Sequence, residues 1–430
     1  MLPMPDFIHR SRHSIAAVLS ILCWVFGLSQ PFSYGEERIE FGSEIPKSER
    51  VALLEMLVQQ MTSNYEQIKT WRGCYDFVDA TYSSEKNQSL RENQQNPSAY
   101  DQLYSPVTLA AEIVEPLQLQ NEKRTGYWFV VEGKIDFVLD SQSQREYVGI
   151  LREPRTDFID IPTGAQIRQN LGQGSKYYLY GPDSFTEFDT VKRIGPITGH
   201  AIVDGVPAGR LVSVRPPEKA GSRSSDFDCR ALFGGQLNGT VRKEAGFWPR
   251  LKLTADALSG KAATATMDAE TVRLKWDAMV KIYISAGSDP IYSIVIGDPF
   301  KRHSVMKVDS KSGFNWVSFS NRNGRATLDS KTASYRQING VFIPERYEQR
   351  WVNYHSIPPD VYLIRRLKLS QVTLNGAVSD ADFSVYQFDL KYCDRMLDEI
   401  KDELYVYDDL MRKFIIAEKF SFDASRSIDR

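Results

Sequence analysis

Hydrophobic side chains follow three successive patterns along this chain, and the first lies at its N-terminus. An almost uncharged apolar run of 15 residues, 14–28, follows a short basic start at residues 9–13. This is the pattern of a secretory signal peptide, because the run is shorter than the roughly 20 residues of a membrane-spanning helix. The small residues Ser33 and Gly35 suit the peptidase pockets at −3 and −1, which places cleavage after Gly35. The sequence therefore predicts an exported protein, periplasmic or extracellular, with a signal peptide of residues 1–35.

The second pattern is helical and covers residues 48–69. Ser48 is suited to cap the N-terminus of such a helix. The apolar residues recur at steps of three and four, which puts them on one helix face. They are Val51, Leu54, Val58, Met61, Tyr65 and Ile68. We expect this amphipathic helix to pack on the body of the protein.

The third pattern, from residue 70 onward, is a series of segments rich in aromatic and β-branched residues, which predicts strands. Between two of them, Glu132-Gly133-Lys134 predicts a tight hairpin connection. In residues 347–352 the two strand faces differ in character, which is typical of an antiparallel sheet. The predicted strands cover residues 70–79, 127–131, 135–140, 177–180, 210–214, 279–284, 291–296, 314–319, 346–354 and 362–374.

Two polar stretches interrupt these patterns. Residues 83–103 predict a polar excursion, and residues 215–226 contain no large apolar side chain, which predicts a linker or long loop. Whether the β-rich halves on either side form one domain or two stays open. The predicted organisation is a signal peptide (1–35), an exposed N-terminal lead (36–47), a helix and β-rich half (48–214), the linker (215–226), a second β-rich half (227–425) and a tail (426–430).

The end of the chain carries two competing patterns. Leu404–Tyr407 favours a short strand. A longer set of apolar residues fits helical spacing, and we therefore expect a helix or turn, then a short strand, then the tail. That set consists of Leu397, Ile400, Leu404, Tyr407, Met411 and Phe414.

Composition narrows the class of protein. The chain is 42% hydrophobic and 12% aromatic, which is enough to build a large core. Its formal net charge is −2, and loss of Arg10, Arg12 and Asp6 with the signal peptide makes it −3. A nearly balanced chain lacks the basic excess that binding to phosphates requires, so nucleic acid is not an expected ligand.

Cysteine and histidine give no sign of a disulfide framework or a metal site. Beyond the signal peptide the cysteines are Cys74, Cys229 and Cys393, an odd and widely spaced set. One long-range disulfide and three free thiols are both compatible with this spacing. The histidines of this part are isolated from one another, so we expect no bound metal or other cofactor. Carboxylates are abundant but form no distinctive pair, and no GxSxG elbow is present, so no catalytic residue is assigned.

Two segments resemble a known family. Asn64–Gly73 leads from the predicted helix through Trp71 into a strand, and Asn339–Tyr347 forms a glycine turn followed by a strand. Together with the order of helix and strands, they look like secreted bacterial proteins related to the lipoprotein-sorting carriers (LolA/LolB-like). The resemblance implies an α+β fold that is mainly β. Its core would be a curved antiparallel sheet, an open half-barrel, whose concave apolar face is covered by helices.

The resemblance, together with the aromatic strands, implies a non-enzymatic binding protein. Such a protein would bury a hydrophobic or amphiphilic ligand, a lipid or a lipoprotein acyl chain, in its concave β surface. Peripheral contact with a membrane and the oligomeric state stay open. The alternatives are an envelope or extracellular interaction module that binds protein or polysaccharide, and an unrecognised hydrolase. The candidate ligand-lining residues are Trp128, Phe129, Phe137, Trp316 and Trp351.

Overall fold

The predicted signal peptide and most of the predicted excursion and linker lie outside the part of the chain that the structure describes. The structure is a computed structural model. It describes residues 42–83, 127–160, 166–169, 174–193, 202–203, 206–207, 210–217, 247–264, 266–297, 303–323, 327–353 and 360–419.

Helices occupy two parts of the described chain. The predicted first helix is present as α1, whose residues Leu54, Leu57 and Met61 are fully buried. Two further helices, which the sequence patterns did not predict, follow the linker. No helix in the described ranges has the length and apolar character needed to cross a membrane. The helices are α1 (Arg50–Glu66), α2 (Phe247–Leu258) and α3 (Ala269–Met279), and a single 3-10 turn, Lys47–Glu49, precedes α1.

Strands make up most of the rest of the described chain, on both sides of the linker. Those of the first half are β1 (Ser43–Glu44), β2 (Thr70–Ser83), β3 (Tyr127–Asp140), β4 (Arg145–Asp160), β5 (Gln166–Gln169), β6 (Lys176–Tyr180), β7 (Phe185–Arg193), β8 (Ile202–Val203), β9 (Val206–Pro207) and β10 (Arg210–Arg215). Those of the second half are β11 (Val280–Ile284), β12 (Ile291–Gly297), β13 (His303–Asp309), β14 (Asn315–Asn323), β15 (Thr327–Ile338), β16 (Val341–Asn353), β17 (Asp360–Leu374), β18 (Arg395–Asp398), β19 (Glu403–Asp408) and β20 (Lys413–Ile416).

Strands of both halves belong to one open sheet. Its order is β1-β11-β12-β13-β14-β15-β16-β17-β2-β3-β4-β6-β7-β10-β18-β19-β20, and β5 pairs with the far half of β4. These pairs are antiparallel except β10 with β18. The strands β8 and β9 form a separate small pair. The predicted fold class, a mainly β α+β protein with an open antiparallel sheet covered by helices, is confirmed.

The sheet bends around α1 on one face, which we call the inner face. Tyr75 of β2 donates a hydrogen bond to the Pro344 carbonyl oxygen of β16 over 2.8 Å, although β17 lies between these strands. In a flat sheet the two strands would be about 9.6 Å apart. The reach of the tyrosine therefore requires the sheet to curl inward. Residues of strands from β11 to β7 accordingly share one apolar core with α1 and α2.

The opposite, outer face is covered over β3, β4, β6, β7 and β10 by the segment that follows β17. There Phe388, itself buried, packs on Tyr177 and Phe188, with ring centroids 5.2 and 5.7 Å apart. Val138 and Val212 belong to the same cluster. The strands β3, β4, β6 and β7 are therefore buried on both faces.

Two expectations of local structure are wrong. Residues 127–140 form the single strand β3 rather than a hairpin, and the register with β4 shifts between Val131 and Gly133. A Cβ on Gly133 would lie 2.1 Å from the Leu151 carbonyl oxygen, so this glycine serves a close approach between strands and not a turn. At the C-terminus the predicted short strand is present as β19, but the apolar set as a whole does not form a helix. Its other members lie in β18, β20 and the turns between the strands, where Ile400 and Met411 are exposed.

Cys74 is a free, buried thiol in the structure, Cys393 is also buried, and Cys229 lies outside the described residues. Burial, followed by a hydrogen bond with Asp136, raises the pKa of Cys74 to about 11. Because the thiolate is the reactive form, this raised pKa makes Cys74 a poor nucleophile in the folded protein.

Asn64 joins the end of α1 to the sheet. Its Nδ2 donates to the Phe342 carbonyl oxygen and its Oδ1 accepts from the Phe342 amide, both at 2.8 Å. The side chain is 6% exposed and completes the backbone hydrogen bonding of β16 as a neighbouring strand would.

We expect Asn64→Ala to lower the free energy of unfolding by about 2 kcal/mol, because it leaves two buried backbone groups without partners. Urea unfolding followed by circular dichroism measures the change. Ser63→Ala, at an exposed position of the same helix, serves as the control and should change stability by less than about 0.5 kcal/mol. Equal stability of the two variants would contradict this role of Asn64.

Asp140 caps the turn between β3 and β4. Its Oδ1 accepts from the amides of Gln142 and Ser143 at 3.0 and 3.2 Å. Burial alone would raise the pKa of Asp140, but the hydrogen bonds from Ser143 and Gln142 and the charge of Arg145 outweigh it and lower the pKa below its ordinary value.

A carboxylate with a lowered folded pKa stabilises the protein above its unfolded pKa, and this contribution is lost as pH falls through the folded pKa. We therefore expect Asp140→Asn to lower the free energy of unfolding by about 1 kcal/mol at neutral pH, and by progressively less below about pH 4. Urea unfolding midpoints of the variant and the original protein, measured across this pH range, give the difference in stability. Asp380→Asn is the control, because the Asp380 carboxylate is 94% exposed on the far side of Arg145. If the stability lost in Asp140→Asn increased in acid instead, the turn-capping role of the Asp140 carboxylate would be refuted.

Candidate functional site

Four polar side chains cross the inner face of the sheet in a single row. They come from adjacent strands and are paired in register: Asp79 of β2, Arg365 of β17, Gln349 of β16 and Lys331 of β15. Each alternates along its strand with residues of the apolar core, which fixes the face it occupies. We call this set the inner polar row.

The inner polar row contains a shielded ion pair. Arg365 Nη2 donates to Asp79 Oδ2 over 2.7 Å, and the two side chains are 16% and 20% exposed. Gln349 is buried and its Oε1 accepts from the Tyr347 hydroxyl over 3.2 Å. Lys331 Nζ lies 5.9 Å from the ring centroid of Phe319, within the range of a cation–π contact. The row therefore offers both signs of charge on an apolar surface.

On one side of the inner polar row the sheet is packed tight. The next residues along the same strands are Phe77, Leu367, Tyr347 and Ala333, again in register with one another. Phe77, Leu367 and Ala333 are buried in the core, and Tyr347 packs against it. This part of the inner face is filled by the protein itself.

On the other side the same strands present an accessible surface. Thr81, Leu363 and Trp351 are paired in register and form what we call the rim row. Thr81 is exposed, Leu363 is partly buried, and Trp351 is 47% exposed. A large aromatic side chain that retains this much exposure on the face that elsewhere forms the core is a surface suited to an apolar partner.

The predicted ligand-lining residues fall into two groups. Trp351 belongs to the rim row, and the backbone of Phe129 pairs with Thr81, which extends that row onto β3. Phe137 is buried 5.0 Å from Trp71 and 5.8 Å from Tyr75, measured between ring centroids. The other two predicted residues, Trp316 and Trp128, lie in different parts of the sheet.

Trp316 belongs with Phe137. Trp316 is 1% exposed and makes an edge contact with Tyr347 at 6.2 Å. Trp128 lies next to the rim row on β3, where its backbone pairs with Tyr82. The structure thus groups Phe137 and Trp316 with the packed core, and brings Phe129 and Trp351 into one row.

Buried tyrosine hydroxyls fix the floor of the inner face. Tyr65 of α1 donates to Asn315 Oδ1 over 2.5 Å, and Tyr335 donates to the Trp316 carbonyl oxygen over 2.7 Å. Burial raises the pKa of both tyrosines well above the ordinary value, so both stay neutral donors. These contacts tie α1 and β15 to β14 and prevent the helix from sliding over the sheet.

The outer face carries a separate set of charges. Glu348 pairs with Arg366 over 2.9 Å and also with Arg350. Partial burial would raise the pKa of Glu348, but the two guanidinium groups outweigh it and lower the pKa below its ordinary value. Lys368, two residues from Arg366 on β17, shares this face and is exposed. These residues form a solvated, ion-paired strand surface.

Sequence patterns missed the inner polar row, although a signal for it is present. At alternate positions β17 reads Leu363, Arg365, Leu367, Leu369, and β2 reads Tyr75, Phe77, Asp79, Thr81. One charged residue in an otherwise apolar alternating series marks a polar position on a core-forming face. The pairing of Arg365 with Asp79 spans 286 residues of sequence and could not be read from either strand alone.

Comparisons with known proteins give distant structural likenesses. No protein-family model matches the sequence, and no curated protein matches it. Among solved structures, a DUF1329 family protein from Desulfovibrio piger matches with a TM-score of 0.29 and 9% identity, over 79% of this chain and 98% of its own. A putative outer membrane lipoprotein-sorting protein domain from Vibrio parahaemolyticus matches with a TM-score of 0.28 and 8% identity, over 77% of this chain and 95% of its own.

Proposed function

We propose that this chain is an exported, non-enzymatic binding protein that holds a hydrophobic or amphiphilic ligand, such as a lipid or a lipoprotein acyl chain. The ligand lies along the rim row of the inner face. The observation that carries the proposal is Trp351, 47% exposed beside Leu363 on the face that elsewhere forms the protein core.

The physical case rests on the continuity of this face. Packed apolar residues, the inner polar row and the rim row follow one another along the same strands. The surface therefore changes from packed apolar residues to polar ones, and then to an accessible row that contains Leu363 and Trp351. An acyl chain laid on the rim row removes both its own methylenes and the Trp351 ring from water, at roughly 0.8 kcal/mol per methylene. The inner polar row lies next to the rim row, where it can contact the polar end of an amphiphile.

Within this proposal the candidate lining residues take different roles. Trp351 touches the ligand. Phe129, whose backbone continues the rim row on β3, and Trp128 stay candidate lining residues. Phe137 and Trp316 form the packed floor that holds the strands in place. Entry of the ligand then needs no opening of the core around α1.

A second function is favoured by a different surface. Leu410 and Met411 are 78% and 51% exposed in the turn that precedes β20, the last strand in the described order of the sheet. An apolar turn beside an edge strand suits contact with a protein partner. This is the alternative of an envelope or extracellular interaction module.

Native mass spectrometry of protein purified from its own cell envelope tests the proposal directly. We expect a bound species whose mass and fragmentation identify an acylated molecule, released when the protein is denatured. Protein that is empty in every preparation, and that also fails to take up a fatty acid added in solution, would contradict the binding function.

Trp351→Ala tests where the ligand lies. We expect the variant to bind cis-parinaric acid, a fluorescent fatty acid, about tenfold more weakly, because it loses one large aromatic contact. Fluorescence titration measures the affinity. Leu410→Ala is the matched control, since it removes an even more exposed apolar side chain far from the rim row. If Leu410→Ala weakens binding and Trp351→Ala does not, the site lies on the other surface.

A further inference from the structure

The turn between β19 and β20 presents two adjacent apolar side chains to solvent. Leu410 is 78% exposed, the largest exposure of any large hydrophobic residue in the described ranges, and Met411 is 51% exposed. We call these two residues the turn tip. Single exposed apolar residues are common on protein surfaces, but two adjacent ones at the end of a hairpin form a small apolar patch.

Three hairpin turns in the described ranges are built in the same way, and they differ at this patch. In each, an aspartate at the end of a strand accepts hydrogen bonds through Oδ1 from the amides of the second and third turn residues, and the fourth turn residue has a left-handed backbone. The aspartates are Asp140, Asp398 and Asp408, and the left-handed residues are Gln144, Asp402 and Arg412.

The second and third turn residues range from polar to apolar across these turns. They are Gln142 and Ser143 between β3 and β4, Ile400 and Lys401 between β18 and β19, and Leu410 and Met411 between β19 and β20. The same backbone geometry therefore forms with polar side chains at these two positions. The fold of the hairpin does not account for the turn tip.

The turn tip is held in one conformation beside a group of aromatic residues. Asp408 is buried, and its Oδ1 accepts from the two amides of the turn tip over 3.0 and 3.1 Å. At the start of β20, Phe414 packs on Tyr407 and Tyr386, with ring centroids 5.3 and 6.2 Å apart, and Tyr386 is 52% exposed. Because the turn is already ordered, little conformational entropy is lost when a partner immobilises it. Exposed tyrosine is suited to the boundary between a membrane and water.

Positive charge lies directly beside the turn tip. The next two residues, Arg412 and Lys413, are exposed, and so is Asp409 on the other side of the turn tip. Two positive charges and one negative charge give these exposed residues a net charge of +1. An apolar tip with adjacent cations matches a bilayer that contains anionic lipids, because apolar side chains enter the acyl region while cations stay at the phosphates.

The small size of the turn tip favours a bilayer over a protein partner. A stable protein interface takes about 800 Å² and about 20 residues from each partner. Among β18, β19, β20 and the turns between them, the exposed large apolar residues are the turn tip and Ile400, which lies at the opposite end of β19. A protein partner would therefore need the edge of β20 as well, whereas a bilayer surrounds two inserted side chains on all sides.

We propose that the turn tip inserts into the surface of a bilayer that contains anionic lipids and holds the protein there reversibly. Leu410 and Met411 enter the boundary between head groups and acyl chains, and Arg412 and Lys413 remain at the level of the phosphates. This contact uses a surface other than the rim row and goes beyond the proposed ligand binding. Either proposal can fail without the other.

Sedimentation with vesicles of phosphatidylcholine and about a quarter phosphatidylglycerol tests the insertion. We expect Leu410→Gln combined with Met411→Ser, which gives this turn the polar pair of the β3–β4 turn, to lower the partition coefficient about tenfold or more. The original protein and its variants carry the same N-terminus, so a difference between them reports on the turn.

Ile400→Gln is the matched control. It replaces a 49% exposed apolar residue at the equivalent position of the β18–β19 turn, and should change the partition coefficient by less than about twofold. Three results would overturn the inference: no binding of the original protein to these vesicles, equal binding of the double variant, or an equal loss in Ile400→Gln. If the double variant instead abolishes self-association in analytical ultracentrifugation while no vesicle binding is seen, the turn tip is a protein contact.

The neighbouring cations give a second test, which also applies if the first double variant does not fold by circular dichroism. We expect Arg412→Gln combined with Lys413→Gln to weaken binding to the mixed vesicles about threefold or more, and to leave binding to pure phosphatidylcholine vesicles unchanged. High salt should reduce the difference between the two vesicle types. Unchanged binding to the mixed vesicles would contradict the placement of these cations at the phosphates.

Discussion

The packing of the sheet's inner face on α1 is the constraint on which the other features depend. Leu54, Leu57 and Met61 are fully excluded from water, and strands that would be far apart in a flat sheet meet around them. Removing this much apolar surface from water outweighs the cost of bending the sheet. Polar contacts then determine where the helix lies, through Asn64 on β16 and Tyr65 on β14. The helix therefore sets which part of the inner face is packed and which part stays accessible.

This division of one face explains the placement of the candidate site. Where the helices cover the sheet, Phe137 and Trp316 are core residues with aromatic neighbours. Beyond the inner polar row, Trp351 has the same orientation on its strand but keeps nearly half of its surface exposed. The ion pair of Asp79 and Arg365 lies at the boundary, where burial is only partial and a charged pair is tolerated more readily than in a dry core.

The sequence predicted features that depend on uninterrupted local patterns. The stripe of α1 and the long strand β17 are regular, and both were recognised. α3 was missed because Val272 is its one buried residue while Leu274 is 56% exposed, so its apolar period is weak. Gly133 was misread because glycine marks both turns and close strand approaches. The inner polar row depends on strand register across hundreds of residues, and register is decided by partners that no single segment contains.

The order of the sheet makes folding depend on strands that are far apart in the sequence. β2 pairs with β17, and β10 pairs in parallel with β18, so strands made early are completed by strands near the C-terminus. Bringing such distant segments together costs chain entropy before any contact compensates for it, and folds of this kind form slowly. During synthesis, β2 must wait with one edge open while most of the polypeptide is still to come. The time needed to reach the native state is therefore governed by these two long-range closures.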